Sequence, residues 1–129
     1  KAALVALVVH HYAERFFAAH EAVPPEDRVD CLRALFVQSL KVDGKMCLCG
    51  LLAAEVRTLP EGVADEVNAF FQGLADRRVE RVPSSNDPEG DAVAVLAQLE
   101  GAILLAHIRG DERVFDQATR TMAVAGPQA

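Results

Sequence analysis

Residues 91–108 read DAVAVLAQLEGAILLAHI, and this stretch decides the fold of the chain. A helix through it is apolar on nearly every side, since only Asp91, Gln98, Glu100 and His107 interrupt the pattern. A helix that is apolar all round must be covered on more than one face. We therefore expect it to be the central helix of a helical bundle.

Working outward, residues 25–40 show the spacing of an amphipathic helix. Apolar side chains recur there at intervals of three and four residues, at Val29, Leu32, Leu35, Phe36 and Leu40. Pro25 suits the first helical position, where a missing N–H costs nothing. The same spacing predicts a long helix from about Pro60.

Turn residues divide the chain between the helical stretches. Asp43 and Gly44 predict a turn, the stretch Pro83–Pro88 predicts a loop, and Gly110 ends one helix just before Asp111 caps the next. The chain of 129 residues is long enough for one core but hardly for two. We expect an all-α, six-helix bundle in one domain over residues 1–129, with helices at about 1–21, 25–41, 46–58, 60–82, 89–109 and 111–124.

Charge and cysteine content restrict the class of protein. With a formal net charge of −6, the chain lacks the basic character that binding to a nucleic-acid backbone requires. No run without a charged residue or histidine, Ala2–Val9 included, is longer than nine residues, which is too short to cross a bilayer, so we expect no membrane partner. Three cysteines suit a reducing compartment and a cytoplasmic protein. The first residues already lie within an apolar helical pattern and lack an initiator Met, so we expect the protein to begin upstream.

The candidates for chemistry are few. Cys47 and Cys49 lie at the start of a short helix, where the positive helix end can lower a thiol pKa and create an electrophile or redox sensor. The alternative is that both pack as small apolar side chains. Zinc binding with His10 and His11 is disfavoured because adjacent histidines point to different sides of a helix. No spacing suggests a nucleophile with its base, so we expect no enzyme, no metal and no cofactor.

Five of the seven aromatic residues lie on two predicted helices, at Tyr12, Phe16, Phe17, Phe70 and Phe71. They can simply be core, but the polar groups of His10, His11 and Tyr12 in an apolar neighbourhood are typical of a ligand pocket. We expect a small, largely apolar molecule to bind among the first, second and fourth helices. The expected lining is Val8, Tyr12, Phe16, Cys31, Leu35, Cys49, Phe70 and Leu74.

Three segments together resemble the C-terminal half of the TetR/AcrR family of bacterial transcriptional regulators. They are DGKMCLCGLLAAE at 43–55, LEGAILLA at 99–106, and Arg109–Asp111 leading to Phe115 and Asp116. The first is similar to the family's Gly-x-x-Cys-x-x-Gly-x-x-Ala-x-Glu stretch. The order and spacing of the six predicted helices match the fourth to ninth helices of the family.

The resemblance implies a repressor that binds DNA as a homodimer and releases it when an effector binds. The family's helix-turn-helix headpiece is missing from this sequence, so DNA would be bound only through that missing part. The helix over residues 91–108 is apolar all round and needs a second surface to cover it. The family dimerises through its last two helices. We expect the dimer interface to contain Ala94, Ala97, Gly101, Leu105, Ile108, Val114, Phe115, Ala118 and Met122.

Two other functions stay open from the residues. One is a free-standing helical dimer that acts as a protein-binding adaptor without a ligand. The other is the cysteine-based sensor at Cys47 and Cys49.

Overall fold

Apolar residues at helical spacing produce helices throughout the computed structural model, which describes residues 1–41, 44, 46–77 and 86–124. No strand occurs in these ranges, which confirms the all-α class. The α-helices are α1 (Ala2–Glu21), α2 (Arg28–Lys41), α3 (Leu48–Ala53), α4 (Glu61–Asp76), α5 (Pro88–Arg109), α6 (Arg113–Ala118) and α7 (Arg120–Val124). Single 3-10 turns at Pro25–Asp27 and Val56–Thr58 precede α2 and α4.

Both ends of α5 have the caps that its sequence supplies. The Gly90 N–H donates to the Asp87 side chain over 3.0 Å at the N-terminus. Gly110 ends the helix in the left-handed conformation with φ of 61°, as predicted, because glycine enters that region without steric cost. Gly44, at the predicted turn, also has a positive φ of 64°.

Several helix bounds differ from those expected. The predicted helix 46–58 is the six-residue α3 followed by a 3-10 turn. The predicted helix 60–82 ends at Asp76, and residues 78–85, with the first half of the predicted loop, lie outside the described residues. Residues 125–129 lie outside them too.

The predicted last helix is two helices, divided at Thr119. The Thr119 hydroxyl donates to the Phe115 carbonyl over 2.8 Å and accepts from the Arg33 Nε over 2.9 Å. A threonine hydroxyl that hydrogen-bonds the backbone carbonyl four residues earlier slightly weakens a helix and often bends it. The division coincides with a contact to α2, and no glycine or proline lies there.

The core lies where α1, α2, α4 and α5 meet. Helix α1 packs against α4 and α2, while α5 contacts α2, α4 and α6. The largest fully buried side chains include Phe36, Phe70, Leu74, Leu99, Ile103 and Phe115. Glycine allows the closest approach of α1 to α4, because a methyl group at Gly73 would overlap the ring of Phe17.

One helix in the described part of the chain, α5, is long and apolar enough by length and composition to cross a bilayer. A core helix of a soluble bundle passes the same test. Here the inner face of α5 packs against other helices, so the match does not by itself assign the helix to a membrane.

Candidate functional site

Helix α5 has an apolar side that the rest of the chain leaves uncovered. We call this side the outer face of α5. It consists of Val93, Ala94, Ala97, Gly101, Leu104, Leu105 and Ile108. Ile108 is 71% exposed and Val93 is 56% exposed, whereas Leu99 and Ile103 on the opposite side are fully buried. The helix is thus covered on one face only.

The structure divides the expected interface residues into two groups. The five on α5 all lie on its outer face, and Val114 and Ala118 on α6 are half-buried against the core. Phe115 and Met122 instead lie in the core, with exposed fractions of 0% and 2%, which corrects their expected place at the surface. The reason is that α6 and α7 are short helices whose largest apolar side chains turn inward.

The expected pocket residues include a tight aromatic cluster. The ring centroids of Tyr12 and Phe16 are 4.9 Å apart, and those of Phe16 and Phe70 are 5.2 Å apart. Phe36, which was not among the expected pocket residues, joins with its ring centroid 5.9 Å from that of Phe16. These rings contact one another in the geometries that aromatic pairs favour. Three of the expected residues therefore come together as packed core.

The other expected pocket residues surround this cluster differently. Leu74 and Cys49 are fully buried, and Leu35 is half-buried against the core. The Cys31 thiol is half-buried and donates to the Ala19 carbonyl over 3.5 Å. Val8 is half exposed and does not join the cluster, because the inward stripe of α1 begins one residue later at Val9.

Of the three polar groups expected near the pocket, only Tyr12 points inward. His10 and His11 are exposed, and the His10 Nδ1 lies 3.3 Å from the Glu66 carboxylate on α4. The Tyr12 hydroxyl accepts a hydrogen bond from the Leu48 N–H over 3.3 Å. Tyr12 thereby ties α1 to the start of α3.

A buried polar cluster joins α1, α3 and α5 at this point. The Cys47 side chain interacts with both the Tyr12 hydroxyl and the Glu100 carboxyl. Gly50 makes room for this carboxyl, since the Cδ of Glu100 lies 2.9 Å from where a methyl carbon at Gly50 would be. The Oε1 of Glu100 is buried and has no hydrogen-bond partner among the described residues.

Burial changes the acidity of every member of this cluster. It raises the pKa of the Cys47 thiol to about 12, with a further contribution from the Glu100 charge, and it raises the pKa of Cys49 as well. It also raises the pKa of Tyr12. Both thiols are therefore protonated at neutral pH, the opposite of what a reactive thiolate sensor requires. Burial raises the pKa of Glu100 to about 7.

Glu100 also lies at a groove between α4 and α5. The groove has a volume of about 370 Å³ and is open to solvent. Helix α4 contributes one wall and α5 the other. The lining residues are Asn68, Phe71, Gln72, Ala75, Glu89, Val93, Leu96, Ala97 and Glu100.

The groove offers hydrogen-bond acceptors and negative charge. The Asn68 amide N–H donates to the Ala64 carbonyl over 3.0 Å, and the Gln72 amide N–H donates to Asp76 over 2.8 Å. Each amide keeps its oxygen as an acceptor and a second N–H as a donor. Two lining residues, Glu89 and Glu100, are acidic, and no Lys, Arg or His lines the groove.

Reasoning from the sequence placed the pocket on the aromatic residues and missed this groove. The available signal was Glu100, a carboxyl that interrupts an otherwise apolar helix.

Among the described residues no group of three or more His, Cys, Asp or Glu side chains could hold a metal ion. Comparisons of the chain with models of known families, with curated proteins and with solved structures gave no match.

Proposed function

We propose that this chain is the ligand-binding and dimerisation domain of a TetR-like transcriptional repressor. It forms a homodimer through α5, and a small effector bound within one protomer releases DNA that is held by a helix-turn-helix headpiece outside this sequence. The uncovered outer face of α5 is the observation that carries the proposal.

A second copy of the chain suits this face. In a two-fold dimer the same patch occurs on both partners, so an apolar stripe is self-complementary. Ala94, Ala97 and Gly101 permit close approach of two helices, and nothing lies within 4 Å of where a Cβ at Gly101 would be. Leu105 and Ile108 supply the apolar area that the contact would bury.

Polar contacts supply a connection between the bundle and the helices beside this face. Arg33 on α2 lies 3.1 Å from Asp116 on α6, and its guanidinium is 5.6 Å from the ring centroid of Phe115. Lys41 lies 3.2 Å from the other oxygen of Asp116. A shift of α2 would move α6 with it. An effector acts here by its differential affinity for two arrangements of these helices.

The test is the oligomeric state of the unmodified chain and of Leu105→Glu. We expect a dimer at micromolar concentration by sedimentation velocity. The glutamate would bury a charge in the interface, so the variant should be monomeric. Because Leu105 is 49% exposed in one protomer, the variant should keep its helical circular dichroism.

Leu7→Glu is the matched control. Leu7 is 51% exposed on α1 and is not part of the outer face of α5, so its replacement should leave the dimer intact. A monomeric unmodified chain, or equal loss of dimer in both variants, would show that the interface is wrong.

The adaptor function is the second candidate, and one observation favours it. A second group of exposed apolar side chains, Leu4, Leu7 and Val8, lies on α1, and the aromatic cluster is tightly packed. A dimer whose thermal midpoint is moved by no member of a small-molecule library would favour the adaptor over the repressor.

A further inference from the structure

We propose that two copies of the chain pack α5 against α5 in antiparallel orientation, with Gly101 at the two-fold axis. Asp91 of each protomer then lies beside the partner's Arg109. This inference rests on the proposed dimer, and it adds the direction and the register in which the two outer faces meet.

The first argument is the distribution of side-chain size along the outer face of α5. Small, exposed side chains occupy the central row of its N-terminal half, at Ala94 and Ala97. Large side chains occupy its C-terminal half, at Leu105 and Ile108, with exposed fractions of 49% and 71%. Gly101 lies between the two halves, and nothing lies within 4 Å of where its Cβ would be. The outer face therefore changes from small to large side chains at Gly101.

An antiparallel contact matches the small half of one protomer with the large half of the other. With Gly101 at the axis, Ala94 faces the partner's Ile108, and the next pair inward follows the same order. Well-packed interfaces place large side chains against small ones. A parallel contact would instead put small against small and large against large. Val93, the one large side chain of the N-terminal half, lies at the edge of the face, in the wall of the groove beside α4.

The second argument is the charge at the two ends of the outer face. Asp91 and Arg109 are 18 positions apart, which is five helical turns, so they lie on the same side of α5. This side borders the outer face, because Asp91 is three positions from Ala94 and Arg109 is four positions from Leu105. An antiparallel contact brings opposite charges together at both of its ends, whereas a parallel contact brings like charges together.

Both charges are available for this contact. Asp91 is half-buried and Arg109 is exposed, and neither takes part in an ion pair within the part of the chain that the structure describes. Asp111, the acid near Arg109, is paired with Arg113 over 3.0 Å. The helix dipole alone favours an acid at the first turn and a base at the last. It does not require that the two lie on one side, which the antiparallel contact does.

Disulfide cross-linking tests the direction. With Gly101 at the axis, position 94 faces position 108 of the partner, whereas the two copies of either position are about 21 Å apart along the helix. Chains with Ala94→Cys are mixed with chains with Ile108→Cys and oxidised. We expect a mixed disulfide, identified by the mass of its linked peptides, and no cross-link of either variant with itself. The unmodified chain controls for the native cysteines.

Charge exchange tests the pairing of Asp91 with Arg109. Asp91→Arg or Arg109→Asp alone creates two like-charged pairs in the antiparallel dimer, so its dissociation constant should rise about tenfold or more. The double variant restores opposite charges, and its dissociation constant should return to within about threefold of the original. Both substitutions oppose the helix dipole, so a role confined to the helix ends would make the two losses add. Sedimentation measures all four proteins.

Glu14→Arg and Arg15→Asp are the matched controls. They make the same changes of net charge at exposed positions of α1, and the dissociation constant should stay as it is. Losses that add in the double variant, or control effects as large as those on α5, overturn the proposal. So does a dimer in which either cysteine variant cross-links with itself, or one that gives no mixed disulfide, and the proposed function then stands. A monomeric unmodified chain overturns both.

Discussion

His20 is fully buried at the end of α1, and neither of its ring nitrogens has a hydrogen-bond partner among the described residues. Burial, with smaller contributions from the nearby Arg28 and Arg77 and an opposing effect of Glu21, lowers the pKa of this imidazole to about 4. The neutral ring is therefore the native form. Protonation costs more in the folded chain than in the unfolded one.

His20 and Glu100 have opposite effects on how the free energy of unfolding depends on pH. Because the pKa of His20 is lowered, its contribution to the free energy of unfolding is present above about pH 6.5 and is lost as pH falls toward 4. The shift corresponds to at most about 3 kcal/mol. The pKa of Glu100 is raised, so its contribution is present below about pH 4.5 and is lost as pH rises toward 7.

Single substitutions should separate these two effects. In His20→Leu the Glu100 effect remains, so the free energy of unfolding should be higher at pH 5 than at pH 7. In Glu100→Gln the His20 effect remains, so the order should reverse. Urea unfolding at both pH values measures this, and His11→Leu, at an exposed position, should behave as the unmodified chain. Identical pH profiles for both variants would refute the assignment.

At the scale of elements, the junction between α6 and α7 depends on one side chain. The Thr119 hydroxyl takes part in two hydrogen bonds, to Phe115 within α6 and from Arg33 on α2. Thr119→Val keeps the shape and removes both bonds, leaving the Arg33 donor without this acceptor. We expect a loss of about 1–3 kcal/mol in the free energy of unfolding.

Thr58→Val is the control for that substitution. The Thr58 hydroxyl donates to the Glu55 carbonyl over 2.9 Å, but it is exposed and water can replace the bond. Its loss should cost no more than about 0.5 kcal/mol. Equal costs for the two variants in urea unfolding would mean that Thr119 does not hold α6 and α7 to α2.

The helices predicted best from the sequence are those whose signal is local. The observed α5 begins one residue before its predicted start and ends at the predicted residue, because Pro88 and Gly110 mark its ends and its apolar content is unmistakable. The division at Thr119 could not be predicted, since the apolar stripe of Val114, Ala118 and Met122 runs on without a break. The division coincides with a contact to Arg33, which is distant in the sequence.

The same distinction applies to the candidate site. The spacing within α1 and α4 brought Tyr12, Phe16 and Phe70 to one place, where they pack as core. The cluster of Cys47 with Glu100 depends on how closely the start of α3 approaches α5, which no local pattern reveals. The sequence marked Glu100 as an interruption but not as part of a groove.

For the whole molecule, the acidic charge predicts how the chain behaves toward DNA. With a net charge of −6 it should show no sequence-dependent binding to promoter fragments at physiological salt. Fluorescence anisotropy with labelled fragments measures this. Sub-micromolar binding that distinguishes one sequence from another would contradict the prediction, whereas weak binding that disappears with added salt is the sequence-independent background expected of any protein.

Val93 and Ala97 belong both to the outer face of α5 and to the wall of the groove. A second copy docked on that face would therefore border each groove. Reciprocity then requires that any molecule in the groove which tightens the dimer by some factor binds the dimer more tightly than the monomer by the same factor. The amount of that molecule bound would then depend on the concentration of the protein. A dimer built in this way would respond to its own abundance as well as to such a molecule.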